Sequence, residues 1–380
     1  MAGSRLPHKG KCPVIASFPP STGWRPRHTI APDMPRLRLV LRLILVVAVL
    51  GALGVGWWAY WQVATERFEV ALENWAGQQR ALGRTVEYST PIFSGFPFTI
   101  RAEIAEPRIA MPAEGFGWQG PTLHAEASPF DPLTIEIQGP GEHRLIRVVG
   151  NARTELVVEA KSLVGVLNLG RSSLQSLDLS GADLRAQDSQ GQTVTLDGFA
   201  ISIQPASTPP SAYTDRLLTF SFSMDWLVLP PLGMPLGDRI DQLSINGRIM
   251  GPIPPGAPSA ALEVWRKAGG TIEIEKASGR WGPVRFEGDG TFALDEALQP
   301  QGAAGVAISG YNEAVDAMVA AGAMAEDQAA LSKKMLGAFA QEPEDGGLAE
   351  VRVPVTLQNR QLLLGPIKFM EIPRIEWPDR

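Results

Sequence analysis

Eighteen consecutive uncharged residues, Leu43 to Tyr60 (LILVVAVLGALGVGWWAY), constrain this chain more than any other feature. At 1.5 Å per residue such a helix spans roughly 27 Å, close to the ~30 Å hydrocarbon core of a bilayer. Arg36, Arg38 and Arg42 precede the run, and Trp57, Trp58, Tyr60 and Trp61 close it. Basic flanks stay on the cytosolic side and aromatic residues settle at the interface. Residues 43–61 therefore read as one transmembrane anchor, with the N-terminus in the cytosol and the rest of the chain outside it. A cleaved signal peptide would end its apolar core on small residues, whereas this exit is bulky.

The charge distribution agrees. Residues 1–42 form a basic leader with eight Lys/Arg against one acid, Asp33, and the remainder carries 26 Lys/Arg and 39 Asp/Glu. An acidic body is unsuited to nucleic acid, which requires a basic footprint. The single cysteine, Cys12, lies in the leader, so the body contains no disulfide. Within the leader, residues 1–33 are rich in Pro and Arg without periodicity. They are either a mis-assigned start, with Met34 as the initiator, or a short disordered cytosolic tail.

Past the anchor, Phe68, Leu72, Trp75 and Leu82 recur near helical spacing, and Gly83 is a natural stop, which predicts an amphipathic helix over residues 62–83. From residue 84 the period changes from 3.6 to 2. Apolar residues alternate with polar ones over Phe98–Ile104, Leu133–Ile137, Leu218–Trp226, Thr271–Glu275 and Val351–Leu357. Alternation of this kind marks strands with one apolar and one wet face, typical of antiparallel sheets. Turns are expected at Gly139-Pro140-Gly141, Gly269-Gly270 and Gly288-Asp289-Gly290. The Pro-rich stretch at 205–211 separates a first β-rich half, 84–204, from a second, 212–380, and 251–259 reads as another long loop. A helical insert spans about 311–341, broken into a hairpin at Gly322. The count is on the order of 15 strands, which as one sheet would extend about 70 Å at about 4.8 Å per strand. The fold class is mainly β with minor α: a single N-terminal transmembrane helix, a large curved antiparallel sheet or sandwich, and a helical hairpin.

The chemistry-bearing motifs are missing. The sequence contains no His-Glu-x-x-His, P-loop, Gly-x-Ser-x-Gly or Cys pair. Of the body's histidines, His124 falls in an expected strand and His143 in an expected turn, too few for a zinc site. The acidic run Glu342-Pro343-Glu344-Asp345 lacks the ordered oxygen spacing of a calcium loop. No catalytic, metal or cofactor-binding residue is assigned, and the expectation is a protein that is not an enzyme. Met318, Met324 and Met335 fit either core packing or an adaptable greasy surface.

Short motifs recur in a telling order. Ser94-Gly95-Phe96-Pro97-Phe98 follows the anchor and the short helix. Gly269-Gly270-Thr271-Ile272-Glu273-Ile274 leads through Trp281-Gly282-Pro283 to Gly288-Asp289-Gly290-Thr291, then Leu298-Gln299-Pro300-Gln301-Gly302. Leu357-Gln358-Asn359-Arg360-Gln361, Leu364-Gly365-Pro366 and Trp377-Pro378 close the series. Over about residues 35–378 this order resembles the bacterial family known as domain of unknown function 2125. The family carries no assigned activity. The resemblance implies a membrane-anchored envelope protein of Gram-negative-type bacteria, distantly similar to the AsmA-like group, whose β-rich bodies are thought to form lipid-accommodating grooves. Two roles follow as expectations: an inner-membrane protein whose periplasmic sheet holds or relays a lipid or other apolar ligand, or an assembly factor that binds an envelope protein partner through its sheet.

Overall fold

A computed structural model describes residues 35–149, 152–170, 173–231, 234–341, 349–365 and 367–377. The leader 1–33, Met34 and the acidic run 342–345 lie outside the described residues. The chain divides into two units, residues 1–55 and 56–380.

Helix α1 runs without interruption from Pro35 to Ala81, 47 residues. Pro35 suits the first helical position, where no amide partner is needed, and Gly83, at φ +79°, ends the helix. The separately expected anchor and amphipathic helix thus belong to one continuous helix. Gln62-Val63-Ala64-Thr65, at the expected boundary, contains neither Gly nor Pro to break it. Within α1 one stretch is long and apolar enough to cross a membrane, and the apolar window is fully unburied.

The body is a mainly antiparallel β structure, with all 19 strands found among the described residues joined in a single sheet. Its first eight strands are short: β1 (Thr85–Glu87), β2 (Ile92–Ser94), β3 (Ile100–Ile104), β4 (Arg108–Met111), β5 (Phe116–Gln119), β6 (Leu123–Ser128), β7 (Asp131–Gln138) and β8 (Gly141–Val149). The ninth, β9 (Ala152–Leu169), has 18 residues and organises the others. One half of one edge, Ala152–Ala160, pairs with β8; the other half, Val164–Asn168, pairs with β7. The sheet therefore forks at β9 into two arms, β8–β5–β4–β1 and β7–β6–β3–β2, between which the chain alternates.

The opposite edge of β9 pairs with β10 (Leu174–Asp188). From there the sheet is a meander: β11 (Thr193–Pro205), β12 (Arg216–Val228), β13 (Arg239–Met250), β14 (Thr271–Trp281), β15 (Val284–Leu294), β16 (Pro300–Ser309), β17 (Glu350–Gln358), β18 (Gln361–Leu364) and β19 (Ile367–Glu371). Each pairs with the next. Residues 206–215 connect β11 to β12, which are hydrogen-bonded neighbours, so the sheet is continuous across the boundary expected between the two halves. Gly288-Asp289-Gly290, expected as a turn, lies inside β15. Its glycines are there for space: a Cβ on Gly288 would meet the Gly305 carbonyl oxygen at 2.5 Å, a close backbone approach of the kind that keeps Gly inside a strand.

Helix α2 (Pro258–Lys267) closes the β13–β14 connection, while α3 (Tyr311–Ala320) and α4 (Glu326–Phe339) form the hairpin between β16 and β17, with Gly322 at φ +70° in the turn between them. After β19 the chain runs back along the body. Gln299 bonds through its side chain to both the carbonyl and the amide of Ile375, Trp377 Nε1 donates to Leu298 O, and Arg147 of β8 donates to Glu376 O. Leu298 is fully buried beneath this segment.

The α2 connection is held by Trp265, which is 2% exposed and donates from Nε1 to Met250 O at 2.7 Å. Gly270 faces its ring so closely that a Cβ would sit 2.2 Å from Cε2. Trp265→Ala is expected to cost about 3–5 kcal/mol, the usual penalty for truncating a buried aromatic. Gly270→Ala is expected to destabilise in the same direction, because the indole must leave its bond. Urea unfolding of the full chain in detergent, followed by circular dichroism, measures both.

Candidate functional site

Register places the body's most extensive feature on one face of the sheet. Starting at β2, Phe93 pairs with Ala102, Ala102 with Ala125, Ala125 with Ile137 and Ile137 with Gly165. The row continues through Leu179, Ile201, Phe222 and Ile245. It ends through Ala277, Gly288, Val306 and Val353 on β17. Every member on these 13 strands is apolar or glycine. Because the side-chain period is two, the flanking row Leu167–Leu177–Ile203–Phe220 lies on the same face.

Burial along the row peaks near its start, after the half-buried Phe93. Ala102 and Ala125 are buried, at 1% and 3% exposure. From Ile137 to Val353 every member is only half-buried. In a closed two-sheet interior, inward-facing side chains of this size would be excluded from water. The sequence reading left open a curved sheet or a sandwich, and this face carries the partial exposure of a sheet without a close-packed cover.

The opposite face is polar. Ser180, Ala200, Ser223 and Ser244 pair in register, as do Asp178, Ser202, Ser221 and Asn246. They line a concavity of about 330 Å³. Asp178 accepts from Ser176 Oγ, and Ser176 accepts from Asn168. Among the described residues no three His, Cys, Asp or Glu side chains are grouped to hold a metal ion.

The two body histidines lie apart from this row. His124 sits on β6, as expected, paired in register with Glu103 and Gln138. His143 is not in a turn but on β8, because Gly139-Pro140 complete the turn and the strand has begun at Gly141. It is buried; its Nε2 lies 2.8 Å from Gly139 O and its Nδ1 accepts the Trp118 indole N–H at 3.3 Å. That pattern puts the ring proton on Nε2 and makes His143 a structural hydrogen-bonding group. The expected greasy methionines divide: Met318 and Met324 are half-buried and Met335 is exposed.

Helix α1 meets the start of the apolar row. Phe68 packs edge-to-face on Phe93, with ring centroids 5.8 Å apart. Three donors near the end of the apolar run, Trp57 Nε1, Tyr60 Oη and Trp61 Nε1, bond to the carbonyls of Pro97, Pro129 and Thr99. Farther along, Glu73 accepts from both Tyr88 and Arg80, and Arg80 also donates to Val86 O. The Tyr88 hydroxyl and then Arg80 hold the Glu73 carboxyl below its ordinary range. Burial, followed by Glu73, pushes the Tyr88 phenol up.

A family model described as an uncharacterized protein conserved in bacteria (DUF2125) matches residues 61–373, more than half of the chain. No curated protein and no solved structure matches it.

Because the folded Glu73 carboxyl titrates below its unfolded value of about 4.5, its bonds contribute fully above that pH and are lost as pH falls through the folded value. Glu73→Gln is therefore expected to lower Tm at neutral pH and to converge with the native chain as pH falls, so that the acid slope of the Tm–pH profile flattens. Thermal unfolding of the full chain across an acid pH series reads this.

Proposed function

The chain belongs to DUF2125, a family of uncharacterized proteins conserved in bacteria, and from that premise we propose that it is a non-enzymatic protein of the bacterial inner membrane whose periplasmic body holds and passes on a lipid along the apolar row. The carrying observation is the half-burial of that row from Ile137 to Val353. Apolar surface left partly open costs free energy, about 25 cal/mol per Å², and extended apolar patches on soluble surfaces mark sites of interaction. An acyl chain laid across the row would gain about 0.8 kcal/mol for each methylene buried. Binding of this kind is additive and non-directional, which is suited to a site with no convergent polar groups. The row begins at Phe93 against Phe68 of α1, passes under cover at Ala102 and Ala125, and its half-buried part runs from Ile137 on β7 to Val353 on β17.

Orientation supports the same reading. Basic residues precede the apolar run and an acidic body follows it, the arrangement of a helix with its N-terminus in the cytosol.

Photo-crosslinking in cells tests the proposal. A photoreactive amino acid at Ile201 or Ile245, on the row, is expected to capture lipid. The same group at the sequence neighbours Ser202 or Ser244, on the opposite face, is expected to capture little. Equal lipid capture from both faces would remove the basis of the proposal. Capture of one stoichiometric protein from the row would favour the assembly-factor reading instead.

A further inference from the structure

Two loops of the body carry bulky aromatic side chains into solvent at the foot of the apolar run. The β2–β3 loop holds Phe96, 48% exposed, and Phe98, 73% exposed; the β6–β7 turn holds Phe130, 74% exposed. Ile92 and Leu133 flank them and are also exposed. On a water-facing surface a contiguous apolar set of this kind marks a site of interaction.

Both loops are fixed to the same two turns of α1. Trp57 Nε1 donates to Pro97 O at 2.8 Å, Tyr60 Oη to Pro129 O at 2.9 Å, and Trp61 Nε1 to Thr99 O at 3.0 Å. The Trp57 ring stacks on Phe130 at 5.0 Å, and Trp61 meets Phe96 edge-on at 5.9 Å. Trp57 and Tyr60 lie at the end of the uncharged run Leu43 to Tyr60, and Trp61 follows it directly. A loop bonded to them shares their depth, which for a spanning helix is the headgroup boundary, where aromatic side chains are favoured. The charge pattern fits. Ile92 to Ile100 contains no ionisable side chain, Asp131 is the one charge between Ala127 and Ile135, and the ion pair Arg101–Glu126 joins β3 to β6 one register step beyond Ile100–Ala127.

We propose that the β2–β3 and β6–β7 loops are a membrane-docking surface, with Phe96, Phe98 and Phe130 inserted in the interfacial layer of the bilayer that α1 crosses. This rests on α1 spanning that bilayer and is independent of what the apolar row carries. Its geometric consequence is that β7 and the Leu169 end of β9, which pair through Thr134 and Asn168, face the membrane.

The test uses the full chain in nanodiscs of phosphatidylethanolamine and phosphatidylglycerol. Cys12→Ser removes the only cysteine. Single cysteines are then placed by Phe98→Cys, Leu133→Cys, Phe339→Cys and Val47→Cys and labelled with the environment-sensitive fluorophore NBD. Phe339, at the end of α4, is 70% exposed and controls for exposure alone. Val47 reports the span. With doxyl groups on the lipid near the headgroup, quenching at positions 98 and 133 is expected to exceed that at 339 by at least about twofold, as for side chains at an interface. Quenching at 98 and 133 no greater than at 339 overturns the proposal. If the label at Val47 is itself unquenched by lipid, the spanning helix fails and the docking surface fails with it, and the two failures are told apart by that position.

Discussion

The hydrogen-bonded register of β9 is the constraint on which the rest depends. One edge of this strand is committed to β10 along nearly its whole length, and the other is divided between β8 and β7. Side chains alternate faces with a period of two, so a one-residue slip at either edge would exchange Ile137 and Leu179 for Gln138 and Ser180 on the apolar side. The fork also sets the two short arms against each other in the chain: β1, β4, β5 and β8 build one, β2, β3, β6 and β7 the other. Neither arm is contiguous in sequence, so both must be placed together when β9 is placed.

Half-burial has a stability cost that the body meets elsewhere. The apolar row contributes less than a closed core would, because part of its surface stays in water. Compensation is concentrated at a few well-packed points: Trp265 over Gly270, Leu298 under the C-terminal segment, and Trp61 with Ile100 and Ala102 beside α1. Ladder hydrogen bonds supply the remaining cohesion and leave the face between these points free of the tight interdigitation typical of interiors.

Much of this was legible in the sequence. The long apolar N-terminal helix followed from the uncharged run itself. The alternation at Leu218–Trp226 and Val351–Leu357 located β12 and β17, since alternation is a property of a single strand. What was not legible depends on pairs of strands. Gly288-Asp289-Gly290 resembles a turn until Gly305 is known to lie against it. His143 looked like a turn residue because Gly139-Pro140-Gly141 dominates its surroundings, though the strand begins at the second glycine. The apolar row was hidden for the same reason: Ile201 in isolation is any strand residue, and only register aligns it with Phe222 and Leu179. The exposed Phe98 was read as one more inward position of an alternating strand, yet it precedes β3 and points outward.

The segment after β19 turns the body into a closed circuit. Hydrogen-bonded ladders lead from β8 to β15 in seven steps, and residues 375–377 complete the return by joining Arg147 to the β15–β16 turn. Seven steps of about 4.8 Å give a path of roughly 34 Å along the ladders, and that length does not change unless a ladder breaks. Widening the circuit must therefore act on its shortest member, which is held by side-chain bonds from Arg147, Gln299 and Trp377 rather than by a continuous ladder. In mechanical terms the tail is a fuse: the body's first large-amplitude opening is expected at its own C-terminus, while the meander from β9 to β15 stays intact.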